Sequence, residues 1–269
     1  MGSPRVVAGL TVLAAALGCN FAPSGGASGG GDDPGDLDAS GSGSAIDSNP
    51  GDIGGDHADA AIAAFDACAP SAGLVACYRF ESNLEDGSAQ NNDLGGAGYG
   101  FAAGSAGSAL SLDDASQMAA IDDASLDFAA ALTIEAWIDP AEAQQRWFVD
   151  HDNRWGLELN DDGSLRCTLR VDLDEETDGI EVTGGDAAGG AWTHVACTYD
   201  GDKLVLWVAG ADVASTDASG PIHTGDGSGF TVGRDAPDGD SFVGLIDTVR
   251  IWSLARSQAQ IECSAAGDC

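Results

Sequence analysis

The chain is almost without positive charge. It holds 10 Lys and Arg against 44 Asp and Glu, a formal net charge of −34, and its single lysine is Lys203. Nucleic-acid binding requires clustered basic side chains to neutralise phosphates, and electrostatic docking on anionic lipid requires the same, so the composition argues against both. Long apolar runs are equally scarce. The one continuous example, VVAGLTVLAAAL at 6–17, is too short to span a bilayer. No Walker loop and no His-Glu-x-x-His string occurs, and none of His57, His151, His194 and His223 stands at metal-ligand spacing from another. Helical periodicity is confined to the last residues. What the chain has in abundance is glycine, 39 residues, together with short alternating apolar runs.

The first segment reads as an export signal, with Arg5 ahead of the apolar run and a close on Ala16-Leu17-Gly18-Cys19. That close resembles a bacterial lipobox, although Ala16 stands where Leu is commoner. The resemblance implies a signal peptide over 1–18, lipidation at Cys19 and attachment to the membrane through acyl chains alone. Asn20 is not the Asp linked to inner-membrane retention, so the expected address is the cell envelope, at the outer membrane or cell surface. Six further cysteines fall into three near pairs, as suits an oxidising compartment: Cys68 with Cys77, Cys167 with Cys197, and Cys263 with Cys269. Connectivity is not fixed by sequence. Nearest-partner pairing is expected, with Cys167–Cys197 as a cross-strand bridge.

Residues 19–66 read as a tether. Positions 20–66 contain 11 Gly, 9 Asp, 6 Ser and no Lys or Arg, too few apolar groups to offset the entropy of ordering, so a disordered acidic linker is expected. A folded domain over 67–269 follows. Its centre is WTHVACTYDGDKLVLWVAG (192–210), where apolar residues alternate on both sides of Asp200-Gly201, a hairpin signal. Further period-two runs lie at 74–80, 109–113, 118–121, 132–139, 146–151, 155–160, 165–172, 179–183, 229–234 and 242–253. A helix is expected only at 254–262, after Ser253. Many short strands without βαβ alternation predict an all-β, two-sheet antiparallel sandwich.

Six strings in order, CYRFESNLEDGSAQNND, GSALSLDD, LTIEAWIDP, WTHVACTYDGDKLVLWVAG, FTVGRD and FVGLIDTVRIWSLARS, make the stretch 74–256 resemble the laminin-G-like jelly roll of the concanavalin A-like lectin/glucanase superfamily. The resemblance implies that the first strand lies beside the last. It implies binding of carbohydrate or of extracellular protein, often with calcium. By family position the calcium ligands would be Asp247 with Glu81, Asn83 and Asp86. Glucanases of this superfamily carry Glu-x-Asp-x-x-Glu on one strand; here Glu135 and Asp139 flank Trp137 where the central acid would stand, so hydrolysis is not expected.

From the residues themselves, RWFVDHDNRW (146–155) concentrates aromatic faces and planar hydrogen-bonding groups, the combination a sugar site needs. Trp147, Asp150, Asp152, Asn153, Arg154 and Trp155 are the ligand-binding residues expected there. The acidic stretches 172–181 and 235–240 read as solvated loops, and His194 as a satisfied structural histidine. The sequence therefore describes a lipid-anchored, lectin-like surface protein. An adhesive or scaffolding module is the alternative, and a polysaccharide-cleaving enzyme a remote one.

Overall fold

The computed structural model describes residues 66–173, 176–187, 189–225, 227–237 and 239–268. The expected signal peptide, Cys19, the tether up to position 65, and Cys269 lie outside the described residues. In chain order the strands are β1 (Leu74–Tyr78), β2 (Gly95–Ala97), β3 (Gly100–Ala103), β4 (Ser108–Leu112), β5 (Gln117–Ala119), β6 (Leu132–Pro140), β7 (Arg146–His151) and β8 (Trp155–Leu159). They continue with β9 (Leu165–Leu173), β10 (Glu176–Gly184), β11 (Thr193–Tyr199), β12 (Lys203–Val208), β13 (Ala211–Asp217), β14 (Phe230–Val232) and β15 (Gly244–Trp252), and are followed by the α-helix α1 (Gln258–Ala265). Among the described residues no helix is long and apolar enough to cross a membrane.

Two antiparallel sheets build the sandwich. The larger runs β13-β12-β11-β6-β15-β4-β3, with β1 also paired to β15; the smaller runs β10-β9-β8-β7-β14. The expected neighbourhood of first and last strands is present: Cys77 faces Arg250 and Tyr78 faces Val249 across β1 and β15. Alternation turns Ile134, Ala136, Ile138, Val195, Cys197 and Tyr199 of the larger sheet into one core with Leu157, Leu159, Leu165, Cys167 and Leu169 of the smaller. The Cys167–Cys197 disulfide therefore crosses the core and joins the two sheets, rather than neighbouring strands of one sheet. Both cysteines occupy inward positions, one on β9 and one on β11, which is why they meet there. Cys68–Cys77 ties the chain before β1 to β1 itself; the third expected pair ends on Cys269.

The strand β15 changes phase in its middle. Trp137 of β6 faces Asp247 and Glu135 faces Arg250, so Ala136 alone spans two residues of β15, a bulge in which Thr248 takes φ 46°. Without that extra residue Val249 and Ile251 would point outward. With it they return to the core, and Asp247, Arg250 and Trp252 share the outer face.

Three strands are absent from the sequence expectation: β2, β3 and β13. β3 reads GFAA and β13 reads ADVASTD, edge strands with little buried surface and so no apolar alternation to display. The acidic stretch 172–181 is not a loop throughout, since β9 runs into it and β10 runs out of it. The helix begins four residues later than expected. Thr133 ties down the preceding segment, donating its hydroxyl to the Leu254 carbonyl at 2.7 Å and accepting from Arg256 N at 2.9 Å. Ser257 is the N-cap, its backbone N–H donating to the Gln260 side chain at 2.8 Å.

Candidate functional site

The outer face of the larger sheet carries a buried charge network. Glu135, with no exposed surface, accepts from Arg250 Nη2 at 2.7 Å and from Arg256 Nη1. Burial pushes its carboxyl up, but His194 and the two guanidinium groups outweigh that and hold it below the usual carboxylate range. Both guanidiniums also lie over Trp252, at 5.1 and 4.4 Å from the ring centroid. His194 is buried but not satisfied as expected. Its Nε2 stands 3.7 Å from Glu135, at ion-pair distance but beyond hydrogen-bond reach, neither ring nitrogen has a hydrogen-bond partner, and the ring meets Trp137 edge-on at 5.3 Å.

Three coverings leave part of this face open. Ile261 of α1 packs on Ala196, Val205 and Trp207. Cys68 and Leu74 pack on Trp252. The turn between β3 and β4 closes over Asp247. Between them lies a cleft of about 560 Å³, within the range of small-molecule sites. Its floor is Trp137, Thr248 and Arg250, and its walls are Arg79 and Glu81 after β1, Ser105 and Ala106 in the turn, Trp192 before β11, and the end of α1.

Asp247 anchors one wall to the floor. Its carboxylate accepts from Ser105 Oγ at 2.8 Å, Ala106 N at 3.1 Å and Thr248 Oγ1 at 3.0 Å. Burial pushes this carboxyl up, against the pull of those hydrogen bonds. Arg79 pairs with Asp66 at 2.9 Å, and Glu81 accepts from Ser108 N at 3.1 Å. The cleft thus offers two half-buried indole rings with hydroxyl, guanidinium and carboxylate groups around them. Apolar ring faces and hydrogen-bonding hydroxyls are what such a surface matches.

The expected ligand segment 146–155 does not form one surface. Trp155 is a core residue, stacked on Phe128 at 5.9 Å and meeting His151 at 5.0 Å. Arg154 is buried against Asp127 and His151. Asp150 is buried and accepts from Ala236 N at 2.8 Å; burial first, then Asp235, Asp152 and Glu158, push its carboxyl up to about 8. Asp152 accepts from Ser228 N at 2.9 Å, and Asn153 is exposed in the turn with φ 60°. Trp147 is the half-open aromatic of the segment, on the outer face of the smaller sheet. It lies on Gly156, where a Cβ would come within 2.8 Å of the ring, and the Arg166 guanidinium sits 5.5 Å from its centroid.

The expected calcium ligands do not make one cage. Asp86 accepts from Cys77 N, Ser88 N, Ser88 Oγ and Asn92 N at 2.7–2.9 Å, which engages both its oxygens in the loop after β1. Asn83 accepts from Glu85 N. Asp247 and Glu81 both reach the 104–108 turn, yet each meets N–H or O–H donors there, the wrong partners for a cation. Among the described residues no three His, Cys, Asp or Glu side chains come together to hold a metal ion. The donor set does not fit calcium.

A two-sheet antiparallel sandwich whose terminal strands pair is a jelly-roll domain. The chain belongs to the concanavalin A-like lectin/glucanases superfamily, whose sequence profile matches residues 113–262. Among curated protein sequences none matches this chain. Among solved structures it is similar to domain 4 of AbnA, a GH43 extracellular arabinanase from Geobacillus stearothermophilus, in complex with arabinotriose: TM-score 0.55, 22% identity, 72% of this chain and 98% of that one. The binding domain of Paraclostridial Mosquitocidal Protein 1 (TM-score 0.55, 18% identity) is covered over 52% of its length by 72% of this chain. The binding domain of Botulinum Neurotoxin DC in complex with SialylT (TM-score 0.53, 12% identity) is likewise covered over 52% by 73% of this chain. The chain thus spans about half the length of these toxin domains. At such identities the likeness is one of fold.

Proposed function

We propose that this domain is a non-catalytic carbohydrate-binding module, held at a bacterial cell surface by a lipidated Cys19 and an acidic tether. The observation that carries the binding role is the cleft floored by Trp137 and walled by Trp192, with Arg79, Glu81, Thr248 and Arg250 around it. Solved neighbours of the fold include an arabinanase domain in complex with arabinotriose and a toxin binding domain in complex with SialylT, which supports a saccharide ligand here. A non-catalytic role is supported by the fate of the strand carboxylates. Glu135 is consumed by Arg250 and Arg256, and Asp139 accepts from Gly190 N at 3.1 Å, so neither is poised as an acid or nucleophile.

Screening the purified domain on a glycan array tests the binding role: retention of a saccharide set is expected, and silence across the array would overturn it. The anchor is tested separately. Cys19→Ala is expected to release the protein from the membrane fraction or leave it unprocessed; an unchanged membrane fraction would contradict lipidation.

A further inference from the structure

We infer that the ligand of the Trp137–Trp192 cleft is an uncharged saccharide. The inference rests on the carbohydrate reading above and concerns the charge of what is bound. Two guanidinium groups line the cleft, and at first sight they invite a carboxylate or sulfate. Each already carries one. Arg79 is paired with Asp66 at 2.9 Å, and Arg250 with Glu135 at 2.7 Å. Glu135 is itself shared with Arg256, but Arg256 is not part of the cleft lining, so Arg250, already paired, is the one member of the network that reaches the floor. Glu81 on the wall is exposed, and its carboxylate is met by the backbone N–H of Ser108. The fourth carboxylate, Asp247, lies under the turn.

An anionic sugar would therefore enter a cleft whose cations are matched and whose wall presents Glu81. It would compete with Asp66 for Arg79 and with Glu135 for Arg250, and removing either partner from the buried Glu135–Arg250 pair is strongly destabilising. Long-range charge works in the same direction, since a chain of −34 repels anions on approach. A neutral sugar meets neither obstacle. Its hydroxyls donate to Glu81 and exchange hydrogen bonds with the Ser105 and Thr248 oxygens, while its apolar faces lie on the indole rings.

Titration calorimetry on the folded domain tests this, using neutral oligosaccharides beside uronate, sialylated and sulfated ones of matched length, at low and at high salt. Binding is expected only from the neutral members. Because no ion pair is made with the ligand, their Kd should change by less than about twofold between the two salt conditions. An anionic member binding as tightly as a neutral one, or neutral binding that weakens about tenfold at high salt, would overturn the inference while leaving the carbohydrate reading standing. Silence from both halves of the panel would remove both.

Discussion

Arg250 Nη2 donates to Glu135 Oε2 at 2.7 Å across β15 and β6, two positions along β6 from the Trp137 that floors the cleft. The pair is buried, and Glu135 holds Arg256 as well. Deleting one partner leaves charge stranded without water. Glu135→Ala is therefore expected to cost about 3–5 kcal/mol of stability, read from urea unfolding. A loss below about 1 kcal/mol would show that the network is not what fixes Arg250 in the floor.

Asp247 works on the other side of the same floor. Asp247→Ala removes three hydrogen bonds that hold the 105–106 turn and Thr248 together. A loss of about 1–3 kcal/mol is expected, with weaker ligand binding because Ser105 and Ala106 line the cleft. Chelator should leave the melting temperature of the wild-type domain unchanged. A drop on chelation, abolished by Asp247→Ala, would restore a metal to this position.

The Cys167–Cys197 bridge spans the two sheets through the core. Replacing both cysteines by alanine should lower stability by about 2–4 kcal/mol, chiefly because the unfolded chain gains freedom. Unaltered unfolding in the double variant would contradict that role.

The sequence makes the sandwich legible and the site obscure, for a physical reason. Strands with one buried face write that face into the chain every second residue, as in THVACTY and KLVLWV, and these runs match β11 and β12 closely. Edge strands such as β3 and β13 bury little and write nothing. The Cys68–Cys77 and Cys167–Cys197 pairs follow the nearest-partner expectation, but the course of the second across the core is not in the spacing, since sheet membership depends on topology. The cleft is harder still. Arg79, Ser105, Trp137, Trp192 and Thr248 come from five separate stretches, brought together by non-sequential strand pairing. A local window rewards dense segments instead, and so 146–155 stood out although Trp155 and Arg154 serve the core. Trp137 was visible between Glu135 and Asp139, where it reads as a missing acid. The bulge at Thr248 that orients the whole face leaves no mark in IDTVRIW.

Asp150 gives the domain a dependence on pH. Its folded carboxyl is pushed up to about 8 by burial and neighbouring acids, against roughly 3.9 in an unfolded chain. Between those values the folded state binds more protons than the unfolded state, so stability is highest below the lower value and falls as pH rises through the upper one. The melting temperature should decline across that window, and Asp150→Asn should flatten the decline. Parallel curves for the two proteins would refute the assignment. Glu135, held low, acts with the opposite sign and only at acid pH, where its stabilising charge is lost.

The account turns on which tryptophans meet the ligand. Calorimetric titration of one bound saccharide against wild type, Trp192→Ala and Trp147→Ala measures this most directly, with circular dichroism to verify that each variant is folded. Trp192→Ala is expected to weaken binding by at least tenfold, the scale of one lost aromatic platform of about 1.5–3 kcal/mol. Trp147→Ala, on the opposite sheet, should bind as wild type does. Full affinity in a folded Trp192→Ala protein, with loss of binding in Trp147→Ala, would contradict the cleft and return the site to the smaller sheet.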